Sequence, residues 1–458
     1  MAILATDGLT GLLKGRVVER GGAGYDEARA LFNGMIDKRP AAVAYCTDEQ
    51  DVAAALRFAT ERGLRVAVRG GGHNGAGLGS VDDGLVIDLS AMNSVTLDGP
   101  VTRVQGGARW QDVDRVTHES GVAVPAGIIS TTGVGGLTLG GGIGHLTRGC
   151  GLTIDNVRAA TMVLADGSVV QVDAEHEPDL FWAIRGGGGN FGVVTEFTFK
   201  THPVSVVQAG PVLYDLADAA DVLRWYREFM PAQPGALTGF FAFLTIPPGP
   251  PFPEELHLRP VCGVVWCYAG EDESPALREA RSFGSPLLDG VAPVPLPAWN
   301  SAFDAIYPAG DQWYWRGEFV REIPDAAIEK HVAFGNDLPT WKSTMHLPDR
   351  RGTVACRFRR DRVGVPRCRL GAGDRRRRPG SRQRGARARL DRPLLGRAEG
   401  AHARNGLRQL PDAGGRRPRP RHVRRQLRPA GAGEGGVRPA ERLQRQPEHQ
   451  AGGVRDKK

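Results

Sequence analysis

The chain of 458 residues contains no run of 18 apolar residues, so no bilayer-crossing helix is expected. Its start, Met1 to Asp7, lacks the basic residues and apolar stretch of a secretory leader. The six cysteines (Cys46, Cys150, Cys262, Cys267, Cys356 and Cys368) show no zinc spacing, so no metal is expected and a reduced, cytoplasmic setting is the default. No internal repeat is visible, and the length suits two or three domains. The last quarter is nearly without aromatics. From Arg350 onward Phe358 stands alone, where average composition would give about seven or eight. The same stretch carries 31 Arg and 2 Lys against 9 acids, a charge near +24, so everything before it is near −16 although the whole chain is +8.

What the chain has in abundance is glycine, 63 residues, concentrated in three loops beside apolar strand-like runs. The first, Arg69-Gly70-Gly71-Gly72-His73-Asn74, follows Leu64 to Val68. Glycines without Cβ atoms let a backbone approach a ligand, their N–H groups can cradle a pyrophosphate, and Arg69 would add charge. A histidine at such a lip is a nucleophile aimed at whatever binds, or else a surface residue on a glycine turn. The second loop runs from Gly127 through Ser130, Thr131, Thr132, Gly133, Gly135 and Gly136 to Gly140, Gly142 and Gly144. The third holds Gly186 to Asn190 and Gly192, before Val193 and Val194. A dinucleotide-binding reading of Gly140 to Gly144 would need an acidic residue about 20 positions on. Asp166 has that spacing, but Asp166-Gly167 reads better as a hairpin turn between 159–165 and 169–172.

In the order Arg69 to Asn74, Gly136 to Gly142, Leu152 to Asn156 and Gly189 to Val194, the chain resembles the vanillyl-alcohol-oxidase-like flavoproteins. The nearer likeness is to the berberine-bridge-enzyme-like branch with its 6-hydroxynicotine-oxidase-like members, over residues 25–347. The resemblance implies an FAD-linked oxidase that removes a hydride from a small alcohol, sugar, amine or secondary metabolite, with oxygen as acceptor. It implies FAD bonded through His73 alone, since the position of a second, cysteinyl bond aligns with Ile129. It implies cofactor contacts from Arg69, Gly70, Gly71, Gly72, His73 and Asn74; from Gly127, Ser130, Thr131, Thr132, Gly133, Gly135 and Gly136; from Gly140, Gly142, His145 and Asn156; and from Asn190, Gly192, Val193 and Val194. His145 either faces the ring or fills its loop, and Cys150 reads as a buried thiol. No catalytic base is legible; Tyr314 and His346 are the candidates.

The expected fold is α+β. A two-subdomain FAD-binding domain (1–203) precedes a substrate domain (204–347), an antiparallel sheet with helices on one face. Helices are expected over 26–35, 48–61 (opened by Thr47 as N-cap), 110–120, 215–229, 275–283 and 323–334. Strands are expected over 41–45, 64–68, 85–89, 103–105, 193–199, 238–245, 257–268 and 312–320, with 85–89 opening the second subdomain.

Residues 348–458 allow three readings: a disordered basic tail, a nucleic-acid-binding arm, or translation out of frame. The genetic code separates them. Permitted codons for Glu441 to Ala451, read one base later, spell N-V-F-S-V-N-Q-N-I-K-P, the C-terminal signature of the berberine-bridge-like branch. The same shift gives Y-G-D-N-Y-x-R-L from Val423, G-Y-V-N-F-L-M from Gly406 and P-I-D-G from Pro348. Four motifs in order from one shift favour a frame change between His346 and Asp349, leave the tail as written without a core, and make nucleic acid an improbable partner.

Overall fold

The computed structural model describes residues 6–348 except Glu271, Glu273, Glu318 and Arg321, together with the backbone of Arg357–Arg360 and Pro366–Arg369. The opening segment holds β1 (Val17–Glu19), α1 (Tyr25–Arg29), β2 (Ala42–Tyr45), α2 (Glu49–Glu61), β3 (Val66–Arg69) and β4 (Leu85–Asp88). Its sheet has the order β1-β2-β4-β3, with β4 parallel to both β2 and β3. α2 forms because Val52, Ala55, Phe58 and Ala59 recur at helical spacing and bury against Ala42, Ala44, Leu85 and Ile87. Burying Phe58 alone contributes about 1.5–3 kcal/mol.

Three expectations need correction here. Asp48, not Thr47, caps α2, its carboxylate accepting the Asp51 N–H at 2.9 Å, while Thr47 donates its hydroxyl to Asp51. The helix expected over 26–35 stops at Arg29, because Ala30 is extended and the Gly34 N–H bonds to the Asp311 carbonyl at 2.8 Å. The strand at 85–88 completes this first sheet rather than opening the second.

The next sheet is wholly antiparallel and ordered β5-β6-β9-β7-β8. It is built from β5 (Val95–Asp98), β6 (Val101–Gln105), β7 (Val157–Val163), β8 (Val169–Asp173) and β9 (Val193–Lys200). Between β6 and β9 lie α3 (Trp110–His118), α4 (Val134–Leu139), α5 (Thr147–Cys150) and α6 (Pro178–Gly187). Asp166-Gly167 is the β7–β8 turn, with Gly167 at φ +81. Alternation along β9 sends Val193, Thr195, Phe197 and Phe199 inward, and the last two join Trp110, Val113 and Val134 in one core.

The third sheet is formed by β10 (Val206–Asp215), β11 (Leu237–Thr245), β12 (Pro260–Tyr268), β13 (Leu288–Asp289), β14 (Ala292–Pro295) and β15 (Met345–Pro348). Its order is β13-β10-β12-β11-β15, with β14 also pairing β10, all antiparallel. α7 (Ala219–Phe229), α8 (Pro275–Arg281) and α10 (Asp325–Gly335) pack one face through Phe241, Phe243, Val264 and Trp266. The other face presents Phe240, Ala242, Val265 and Cys267 to Ala123, Leu146, Ile128 and α9 (Leu296–Asn300). The α+β class is as expected. The strand expected over 312–320 is not formed by its described residues. Trp313 instead donates its N–H to Asn33 Oδ1 at 2.9 Å and accepts from Asn33 Nδ2 at 2.8 Å, so a side chain takes the place of a ladder neighbour. β16 (Arg357–Arg360) and β17 (Pro366–Arg369) form a two-stranded antiparallel ladder. The expectations of disorder, frame change and nucleic-acid binding otherwise fall outside the described residues. No described helix is long and apolar enough to cross a membrane.

Candidate cofactor and active site

The first two glycine loops, distant in sequence, meet backbone to backbone at Gly71 and Gly133. A Cβ on Gly71 would stand 2.4 Å from the Gly133 nitrogen. Gly72 has φ +71, where a side chain would strain the chain. The crossing carries His73 to the second loop. Its Nε2 lies 3.2 Å from Thr131 Oγ1 and its Nδ1 3.4 Å from Thr132 Oγ1. Phe32 stacks on the ring at 4.0 Å and 21°. Burial pushes the His73 pKa down to about 4; Arg109 adds to this and Asp304 opposes it. The imidazole is therefore neutral at pH 7 and keeps the lone pair a nucleophile needs.

Arg69 does not face this crossing, contrary to the expectation that it adds charge for phosphates. It is buried, ion-paired with Asp88, and donates to the Ala28 carbonyl at 2.7 Å. A buried guanidinium needs such partners, and they hold α1 to β3. Asn74 is exposed and caps its own turn, accepting from Ala76 and Leu78 at 3.1 Å.

In the second loop Ser130 is buried, and both its N–H, at 2.9 Å, and its hydroxyl, at 2.5 Å, donate to the Asp304 carboxylate. Gly127 packs on Leu137, and a Cβ on Gly135 would reach the Gly106 carbonyl at 2.9 Å. A Cβ on Gly136 would meet nothing within 4 Å, and one on Gly140 nothing nearer than 3.3 Å. A Cβ on Gly142 would sit 2.2 Å from Thr153 Oγ1, which fixes the chain from Gly142 to Asn156. Asn156 holds that same segment. Its Nδ2 donates to the Cys150 and Leu152 carbonyls, and its Oδ1 lies 2.7 Å from His202 Nε2, so its amide is engaged within the protein. His145 fills its loop, buried among Phe240, Trp299 and Phe303, with burial holding its pKa near 3. Cys150 packs into the same cluster, and burial pushes its thiol up to about 11.

The third loop follows α6, which packs on α4 together with the turn 188–191. Asn190 is exposed and donates to the Gly187 carbonyl at 2.6 Å, while Gly192 leads into buried Val193 and Val194. Tyr314 is 73% exposed and accepts from Arg316 at 3.0 Å, so it belongs to no enclosed site in this structure. His346 is on β15 beside Phe240 at 5.2 Å, and burial lowers its pKa to about 4. Phe32 and Asp304 carry no local sequence signal and are found only through the fold.

The loops suit a large polar cofactor. Among the ten buried side-chain atoms of the described residues without a hydrogen-bond partner are Thr138 Oγ1 on α4, His145 Nε2 beyond its end and Arg185 Nε on α6. Such groups are costly in a protein interior unless water or a ligand meets them.

Residues 40–173 match the family model described as an FAD binding domain. An FAD-linked oxidoreductase of Dictyostelium discoideum is 33% identical over 350 residues, covering 75% of this chain and 74% of that protein. The chain belongs to the FAD-linked oxidoreductases. FAD is thus the cofactor of this enzyme. The (R)-6-hydroxynicotine oxidase of Paenarthrobacter nicotinovorans is 40% identical over 186 residues, 40% of this chain and 41% of that one. Among solved structures, 6-hydroxy-D-nicotine oxidase from Arthrobacter nicotinovorans aligns with a TM-score of 0.59 at 28% identity, covering 65% of this chain and 66% of that one. Glucooligosaccharide oxidase from Acremonium strictum, described with a 6-S-cysteinyl, 8α-N1-histidyl FAD, aligns with a TM-score of 0.61 at 25% identity over 73% of this chain and 72% of that one.

Proposed function

We propose that this FAD-linked oxidoreductase is an oxidase of a small alcohol, sugar or amine that holds its flavin through a single covalent bond to His73. The observation that carries this reading is the His73 seat. Two glycine loops cross at Gly71 and Gly133, and the imidazole lies between Thr131 and Thr132, stacked on Phe32 and neutral. The oxidases of 6-hydroxynicotine and of glucooligosaccharide among its relatives support oxygen as acceptor and a small-molecule substrate. Bound FAD supplies a two-electron acceptor. The chain's own part is to bind and orient it. Gly70 to Gly72 and Gly133 to Gly136 bring backbone close to it, and Thr131 and Thr132 hold the imidazole by its two nitrogens. The aromatic wall of Phe240, Trp299 and Phe303 keeps water from the sheet-facing side. Ile129 and the protonated Cys150 thiol provide no second attachment point.

Acid precipitation followed by fluorescence of the pellet tests this. Flavin should remain with the wild-type protein and appear in the supernatant for His73→Ala. Complete release from the wild type would refute covalent attachment while leaving FAD binding intact.

A further inference from the structure

We propose that Asp304 is the residue that positions His73 for flavin attachment, acting from the third-sheet side of the molecule through Ser130. The inference rests on the reading of His73 as the attachment point. Three observations lead to it.

The first is the relay itself. The Asp304 carboxylate accepts both the N–H and the hydroxyl of Ser130. The next two residues, Thr131 and Thr132, are the ones whose hydroxyls meet the two nitrogens of His73. A loop pinned at Ser130 by a bidentate carboxylate and at Gly133 by the Gly71 backbone has its two intervening side chains fixed in direction. Either hydroxyl can donate or accept, so what the pinned loop fixes is the place of the ring, held between Thr131 and Thr132 by both of its nitrogens.

The second is where Asp304 comes from. It lies on the strap 301–313 that follows α9, and both ends of that strap are sewn to the flavin side. At one end Asn300 Nδ2 donates to buried Asp114 at 2.9 Å on α3. At the other, the Gly310 N–H donates to the Phe32 carbonyl at 2.9 Å, and Trp313 exchanges two bonds with Asn33. Phe32 is the ring stacked on His73. The strap therefore holds both walls of the imidazole seat, the threonine wall through Asp304 and the aromatic wall through Phe32.

The third is electrostatic. Asp304 acts on His73 in the direction opposite to burial and to Arg109. Its carboxylate favours positive character on the imidazole, which burial disfavours.

The consequence is that flavin attachment depends on the third-sheet segment being docked, although the attaching residue lies in the first glycine loop. The test uses the full chain with Asp304→Ala, Asp304→Asn and, on the same strap, Asp311→Asn. Two readouts are taken. One is the imidazole nitrogen spectrum of 15N-histidine-labelled, flavin-free protein, with His73 assigned by loss of its signals in His73→Ala. The other is the rate at which added FAD becomes acid-stable.

Asp304→Ala should move the His73 nitrogen signals from their wild-type positions, as the ring loses its threonine contacts, and slow attachment on the order of tenfold or more, as misplacement of a reacting group does. Asp304→Asn keeps an acceptor for the Ser130 N–H. It should preserve the wild-type His73 spectrum and slow attachment within about threefold, the loss expected for a neutral rather than charge-assisted bond. Asp311→Asn should change neither.

An Asp304→Ala protein with the wild-type His73 spectrum and attachment rate would overturn the proposal. So would an Asp304→Asn protein as defective as the alanine variant with unaltered His73 signals. If Asp304→Ala does not fold, Ser130→Ala, which removes only the hydroxyl arm, takes its place with the same two readouts. If wild-type protein forms no acid-stable flavin at all, the attachment reading fails, and the comparison of His73 nitrogen spectra still decides whether Asp304 orients His73.

Discussion

Gly71 and Gly133 touch through their backbones, and neither position has room for a methyl group: a Cβ on Gly133 would lie 2.2 Å from the Gly71 nitrogen. The obstacle is main chain on both sides, so no side chain can swing away to relieve it. Gly136, one turn into α4, faces open space.

These two glycines predict opposite outcomes for the same substitution. Gly133→Ala should separate the loops, lower the melting temperature and release His73 from its threonines. Gly136→Ala should leave flavin-free stability unchanged or raise it by up to about 1 kcal/mol, since alanine is the better helix former. If the open side of α4 is where FAD lies, Gly136→Ala should nevertheless load less of it. Melting curves with and without FAD, alongside flavin-to-protein absorbance ratios, check both.

The parts of this arrangement that could be read along the chain are those with a local cause. The apolar spacing of Val52, Ala55 and Ala59 announces α2, Asp166-Gly167 announces the β7–β8 turn, and alternation from Val193 to Phe199 announces β9. What escaped has its cause elsewhere. Arg69 sits in a loop whose glycines suggest phosphate, yet its partner Asp88 is 19 residues away on the neighbouring strand. Ser130 and Asp304 are 174 residues apart, and neither belongs to a periodic pattern. The aromatic run at Trp313 to Trp315 has strand propensity, but Asn33, 280 residues distant, takes the hydrogen bonds a ladder would use. Leu85 to Asp88 could not be assigned to a sheet from its own residues, because a parallel strand does not name its neighbours.

Acid should destabilise the fold before it protonates the site. His73, His202 and His346 are held near pKa 4 and His145 near 3, all below the ordinary 6.5 and chiefly by burial. Between pH 6.5 and 4 the unfolded chain takes up protons on these residues that the folded chain refuses. Stability therefore falls as pH falls, by at most about 1.4 kcal/mol per histidine per pH unit. Asp114 works the other way. Burial raises it to about 6, so its protonated form favours the fold as pH drops through that value. One such group does not offset four histidines. Denaturant midpoints measured at half-unit steps from pH 7 to 4 should decline throughout, and the slope should lessen in His145→Phe, which replaces the buried imidazole with a ring that cannot protonate. A flat profile would mean the imidazoles are not held neutral.

The remaining prediction concerns the reading frame, and it can be made at the DNA level. Removing one base, or adding two, near the codons for Leu347 and Pro348 should spell P-I-D-G first, Y-V-N-F later and N-Q-N-I-K-P at the end. β15 (Met345–Pro348), where the change would enter, pairs with β11 in the third sheet. In flavoproteins of the resembled branch the Y-x-N strand brings a tyrosine to the substrate side, near where a proton must leave as the hydride departs, and the corrected frame would restore that strand. The charge should swing from +8 to negative, since residues before Arg350 already carry about −16. Both forms keep His73, Thr131, Thr132 and Asp304, so both should be able to attach flavin if they fold. The corrected chain alone should melt cooperatively at higher temperature and form hydrogen peroxide on a panel of alcohols, sugars and amines. Expressing the two side by side separates loss of the substrate-side strands from loss of the cofactor. Equal melting and equal turnover would show that the arginine-rich segment is a genuine part of this enzyme. The basic-arm reading would then be tested next, by salt-dependent binding to duplex DNA and to RNA.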